Sequence, residues 1–170
     1  MKKGFTLMEV LAVLMLVALV TSFAVPVYRS ARNEMRYNQA RAAATKLAEA
    51  MRTYYQRSKG YRIAQTSFNG LTDQGIIYAT ACDDVSASGL PATSSSKPDK
   101  DVSNLFGCGF LSYKDFAGLP FQFYICNPKG SSSNCGDKTE LYVRMKGLEE
   151  SGKYNDKYFN ITHNMKWQEE

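Results

Sequence analysis

The chain has 170 residues, the size of one domain or of one domain with an appendage, which argues against a multidomain enzyme. A mean hydropathy of −0.34 with 22% charged residues excludes a polytopic membrane protein, and a formal charge of +5 is far below the density of a dedicated nucleic-acid binder. One histidine, His163, and no C-x-x-C pair argue against a zinc site. These averages hide an uneven distribution, because the first 28 residues are of a different physical class from the rest.

From Phe5 to Val25 the chain reads FTLMEVLAVLMLVALVTSFAV, 21 residues with one charge, Glu9, and three hydroxyls, Thr6, Thr21 and Ser22. As a helix this segment is ~31 Å long, matching the ~30 Å hydrocarbon core of a bilayer. A cleaved secretory signal with Lys2 and Lys3 as its basic region fits less well. The apolar run exceeds the ~7–15 residues of such signals, and no small-residue cleavage site precedes Pro26. Glu9 needs a reason, since a carboxylate at membrane depth costs roughly 2.5–3.5 kcal/mol. Near the helix start it reaches the interface and favours the positive end of the helix dipole.

The order of these residues is more specific than their composition. K-K-G-F-T-L-M-E-V followed by about twenty apolar residues resembles the processing site of type IV prepilins and the related pseudopilins. The resemblance covers about the first 28 residues. It implies cleavage between Gly4 and Phe5 by a dedicated membrane peptidase, which also methylates the Phe5 nitrogen. A bare backbone at Gly4 suits close approach by that peptidase. The resemblance further implies that Glu9 neutralises the N-terminal ammonium of a neighbouring subunit during filament assembly. Pro26 and Tyr28 stand where the family often has a helix-loosening proline and a nearby tyrosine. The second proline of some pilins, twenty residues on, is replaced by Lys46. Processing after Gly4 removes Lys2 and Lys3, leaving 166 residues and a formal charge of +3.

Beyond Pro26 a helical period continues. Ala40, Ala43, Ala44, Leu47, Ala50, Met51 and Tyr54 share one face, while Arg41, Lys46, Glu49, Arg52 and Gln56 occupy the other. Gly60 is the expected stop. With Pro26 as a kink only, Phe5–Lys59 makes a helix of ~80 Å whose second half lies on a globular domain. Residues 29–62 carry nine basic side chains (Arg29, Arg32, Arg36, Arg41, Lys46, Arg52, Arg57, Lys59, Arg62) against two acids, Glu34 and Glu49. A solvated face, subunit contacts or lipid-headgroup attraction account for them. Weak DNA binding is the minor alternative, because no aromatic interleaving accompanies the run. The positive-inside rule applied to Arg29, Arg32 and Arg36 puts this side in the cytoplasm. The cysteines and the family resemblance imply the opposite side, and they outweigh the charge count.

Residues 61–104 read as irregular. Phe68–Gly75 is a loop with two glycine turns, and Ser86–Asp101 is a polar loop. Period-two alternation then predicts four strands: Cys108–Tyr113, Phe121–Cys126, Leu141–Lys146 and Phe159–Trp167, the last with His163 packed on its apolar side. Consecutive strands without a helical crossover favour an antiparallel meander. The expected fold class is α+β, one long helix on one small antiparallel sheet, as in pilins. Its parts are a leader at 1–4, a membrane and filament-core helix at 5–28, an amphipathic helix at 29–60 and a globular head at 61–170.

Four cysteines allow three disulfide connectivities. The expected one is Cys126–Cys135, closing the N-P-K-G-S-S-S-N loop, with Cys82–Cys108 closing the long polar loop; each would contribute roughly 2–4 kcal/mol. No nucleophile–base constellation or phosphate loop points to an enzyme, and no cofactor is implied. Asp83, Asp84, Asp99, Asp101 and Asp115 form only a fragment of a calcium loop, so no metal is expected. Asn160-Ile161-Thr162 is a formal glycosylation acceptor, but it falls within a predicted strand.

The resemblance therefore implies a type IV pilin-like structural subunit, stored in the inner membrane as a single-pass protein with its head outside the cytoplasm. Its partners would be further copies of itself, the prepilin peptidase and the inner-membrane assembly machinery. Alternatives are a type II secretion pseudopilin, or a minor pilin holding DNA on its Arg29–Arg62 face.

Overall fold

A computed structural model describes residues 6–57, 63–80, 82, 101–126, 135, 141–162 and 164–169. The chain divides into two compact units, Met1–Met35 and Arg36–Glu170, and helix α1 (Leu7–Arg57) contributes to both. Pro26 lies within α1.

In the second unit, five strands form an antiparallel meander in sequence order: β1 (Ser67–Asn69), β2 (Phe121–Ile125), β3 (Leu141–Gly147), β4 (Tyr158–Thr162) and β5 (Trp167–Glu169). The β2–β3 register pairs Phe123 with Met145, and the β3–β4 register pairs Met145 with Phe159. The alternation thus gathers Phe68, Phe121, Phe123, Ile125, Val143, Met145, Phe159 and Ile161 on one face, all buried. The helix meets that face with side chains spaced three and four apart. All seven residues expected there are buried, and Tyr37 and Ala48 join them. Small side chains allow the close approach: Ala40, Ala44 and Ala48 are fully buried. Arg41, Lys46, Glu49, Arg52 and Gln56 are exposed, as an amphipathic helix requires.

Two short helices, α2 (Gln74–Ile77) and α3 (Ser103–Gly107), border this core. Phe68, Phe106, Phe116 and Phe123 interlock there, four of their pairs edge-on or steeply tilted and one stacked at 5.4 Å. Edge-to-face and offset contacts of this kind add roughly 0.5–1.5 kcal/mol per pair beyond area burial.

Three expectations need correction. Cys108–Tyr113 is no strand: α3 ends there, with Gly109 at φ +74 and the Phe110 and Leu111 amides both donating to the Leu105 carbonyl. A left-handed glycine closing a helix overrides the alternation of its neighbours. The run Phe159–Trp167 is two strands. Met165 adopts φ +58 and its amide donates to the Thr162 carbonyl, so the chain reverses and β5 pairs back on β4. The alternation continues across this turn by coincidence of composition. His163 lies outside the described residues. Finally, Phe68–Gly75 is not all loop, since it contains most of β1 and the start of α2. Three residues with a single buried side chain are too few for a period to show.

Gly147 ends β3 where the backbone of Tyr154 crosses it. A Cβ at Gly147 would lie 1.9 Å from the Tyr154 carbonyl oxygen. The 3₁₀ segment Glu149–Tyr154 is thereby held against the sheet, with Ser151 buried and its hydroxyl donating to the Leu148 carbonyl.

Candidate assembly helix and its charged flanks

From Leu7 to Val27 the first unit is a helix whose surface is almost wholly apolar. An 18-residue window of α1 is hydrophobic enough to cross a membrane, and none of it is buried. Fourteen large apolar side chains between Leu7 and Val27 are exposed, from Leu11 at 42% to Leu7 at 81%. The segment also satisfies its own polar groups. Thr21 Oγ1 donates to the Val17 and Ala18 carbonyls at 2.9 and 3.0 Å, and Ser22 Oγ donates to the Leu19 carbonyl at 2.7 Å. Hydroxyls bound back to the preceding turn need no water, which suits a low-dielectric surrounding.

At its start, Thr6 and Glu9 form a reciprocal cap. The Thr6 amide and hydroxyl both donate to Glu9 Oε2, at 2.8 and 2.9 Å, and the Glu9 amide donates to Thr6 Oγ1 at 3.3 Å. This is a capping box, in which T-x-x-E closes orphan amides at a helix N-terminus. Glu9 therefore has a partner within its own chain. The charge explanation missed this partner, although the spacing of Thr6 and Glu9 carries the signal. Gly4 and Phe5 lie outside the described residues.

The basic stretch does not behave as one surface. Arg29 and Arg32 are exposed. Arg36 Nη1 donates to the Glu150 carbonyl at 3.3 Å, and the Arg41 guanidinium lies 5.0 Å from the centre of the Trp167 ring. Lys46 Nζ pairs with Asp115 Oδ1, and the Arg57 guanidinium is 5.5 Å from the centre of the Phe110 ring. Lys59 and Arg62 lie outside the described residues. Much of the run thus serves contacts within the second unit. Of the acids weighed for calcium, Asp115 holds Lys46 and Asp101 Oδ1 accepts from the Ser103 amide. Asp83, Asp84 and Asp99 lie outside the described residues.

Both expected disulfides are present. Cys82–Cys108 and Cys126–Cys135 have Cα separations of 4.7 and 5.8 Å. Cys126 and Cys135 pack on Tyr124, on the sheet face opposite α1. On that face the Arg144 guanidinium stands 4.0 Å from the centre of the Tyr158 ring. Lys146 pairs with Asp156 at 2.8 Å, and this hydrogen bond raises the lysine above its ordinary range. Burial pushes the Tyr124 phenol up as well. Asn160, of the glycosylation acceptor, is fully buried in β4, and neither polar atom of its side chain has a hydrogen-bond partner among the described residues. A glycan has no access to it in the folded chain.

Where α1 meets β5, Tyr37 OH donates to Glu169 Oε1 at 3.2 Å, and its ring stacks on Tyr154 with centroids 4.3 Å apart. Burial first, and then the hydrogen bond to Glu169, push this phenol up to about 12. Among the described residues no group of three His, Cys, Asp or Glu side chains converges to hold a metal ion. No family model, curated protein or solved structure matches the chain.

Proposed function

We propose that the chain is the structural subunit of a type IV pilus-like filament. It is stored in the inner membrane through the apolar half of α1, cut after Gly4, and polymerised through that same helix. The observation that carries this reading is the unburied apolar surface from Leu7 to Val27. Fully covering an exposed Leu, Val or Phe side chain is worth about 1.5–3 kcal/mol, so these fourteen, 42–81% exposed, together represent roughly 20 kcal/mol. That exceeds the ~5–15 kcal/mol stability of a whole domain, so this surface is covered in the working state, by lipid before assembly and by other copies after it. The two disulfides support a head on the oxidising side of the membrane.

Glu9 supplies the register. Glu9 Oε2 is used by the cap, and the carboxylate remains exposed to receive the Phe5 ammonium of the next subunit. In an apolar bundle either charge alone is costly. Two substitutions separate cap from charge. Glu9→Ala removes both, while Glu9→Gln keeps an oxygen for the Thr6 amide and removes the charge. Both variants are expected to be processed and stable yet to yield few filaments by electron microscopy of sheared surface material. Normal filament yield from Glu9→Gln would overturn the pairing. Absence of filaments of this chain from the wild-type cell surface, with short periplasmic assemblies instead, would favour the pseudopilin alternative.

A further inference from the structure

Most carboxylates of the described residues are engaged by their own chain. Glu9, Asp73 and Asp101 accept from backbone amides, Asp115 and Asp156 hold lysines, and Glu169 holds Tyr37. Glu49 on α1 is exposed with no such contact, and Glu149 and Glu150 share that state as a pair. They are adjacent and exposed, and neither carboxylate is in an ion pair or hydrogen bond with the described residues. They sit on a turn that is held in place, because Ser151 is buried beneath it and Gly147 is in contact with Tyr154. Two neighbouring carboxylates on a fixed turn repel each other; Arg36 of the same chain donates to the Glu150 carbonyl and to neither carboxylate, so a cation from outside relieves that repulsion.

The cations of matching kind are Arg29 and Arg32. They lie three apart on α1, which places them on one side of the helix, and both are exposed without an acidic partner among the described residues. Guanidinium forks match carboxylates in planar, bidentate fashion.

Resting on the filament reading above, we infer that Glu149 and Glu150 of one copy receive Arg29 and Arg32 of a second copy. The two patches differ, so the contact is heterologous, and a heterologous contact that does not close on itself propagates a helical array. The acid pair is thus the docking point on the head for the basic collar of the next subunit's helix, and it adds a second contact to the register that Glu9 supplies.

The test uses the full-length chain and two reversals. One variant carries Glu149→Lys with Glu150→Lys, the other Arg29→Glu with Arg32→Glu. Each alone is expected to lower filament yield by at least about tenfold, with unchanged amounts of protein in the membrane fraction. Expressed together in one cell, the two variants present complementary patches again only between unlike copies. Co-expression is therefore expected to restore yield to within about threefold of wild type, as alternating copolymers. Normal filaments from either variant alone would overturn the contact and leave the filament reading standing. So would failure of co-expression to rescue, which would assign Arg29 and Arg32 to lipid headgroups instead. Absence of filaments from the wild-type chain in the same assay would overturn the reading itself and the contact with it.

Discussion

Tyr37 joins the amphipathic half of α1 to the last strand, and its two kinds of contact can be measured separately. Its ring is stacked on Tyr154 at 4.3 Å and tilted against Phe159 and Phe121 at 4.8 and 6.5 Å, while its hydroxyl reaches Glu169. Tyr37→Phe keeps the ring and loses one hydrogen bond to a surface carboxylate, which is worth about 1 kcal/mol. Tyr37→Ala opens a cavity among three aromatic rings and is expected to cost about 3–5 kcal/mol. The assay is urea unfolding of the detergent-solubilised chain. It can be followed by the fluorescence of Trp167, the one tryptophan, which lies in β5 beside this contact. A double cycle with Glu169→Gln should place most of the Tyr37→Phe loss in the coupling. The reasoning is refuted if Tyr37→Phe costs as much as Tyr37→Ala, or if Tyr37→Ala costs under about 1 kcal/mol. The phenol adds a pH signature. Its pKa in the folded chain, about 12, lies above the ordinary value of 10.0, so the stability it contributes is complete below pH 10. That contribution is lost as the pH rises towards 12, and Tyr37→Phe should remove this part of the alkaline loss.

The remaining predictions concern the head. The disulfides join cysteines 26 and 9 residues apart, so loop entropy assigns about 3.5 kcal/mol to Cys82–Cys108 and about 2.6 to Cys126–Cys135. Paired Cys→Ser variants compared by urea midpoint should show that order, and the reverse order would contradict the entropic account. Gly147→Ala forces a methyl group into the Tyr154 carbonyl and should destabilise by about 3 kcal/mol. An unchanged midpoint would mean that the crossing backbone gives way. Asn160→Val removes a buried amide group with no partner among the described residues and should raise stability by about 1 kcal/mol. A comparable loss would show that the amide is satisfied in solution.

The parts legible in the sequence were those with a long repeat. Alanines spaced three and four apart marked the buried face of α1, because a helix keeps its phase over several turns. Phe121–Ile125 and Leu141–Lys146 were long enough for alternation to count. The disulfide pairing followed the loops it closes. What escaped was set by single residues. Gly109 ended α3 where alternation suggested a strand, and Met165 at φ +58 turned one expected strand into a hairpin. β1 shows only Phe68 to the core. At the start of α1 the charge of Glu9 overshadowed its spacing to Thr6, although that spacing is what places the carboxylate. The Glu149–Glu150 pair has no meaning in the sequence until the turn that fixes it is seen.

The central claim is that α1 is made to leave the membrane as part of a filament, and its starting point is the new N-terminus. Intact-mass and N-terminal fragment measurement on the chain purified from cells addresses it directly. The account predicts a polypeptide lacking Met1–Gly4 and beginning at Phe5 with one added methyl group, and the same chain uncut in a Gly4→Leu variant. A wild-type chain that retains Met1–Gly4, or one cut after Val25 so that the apolar helix is lost, would contradict it.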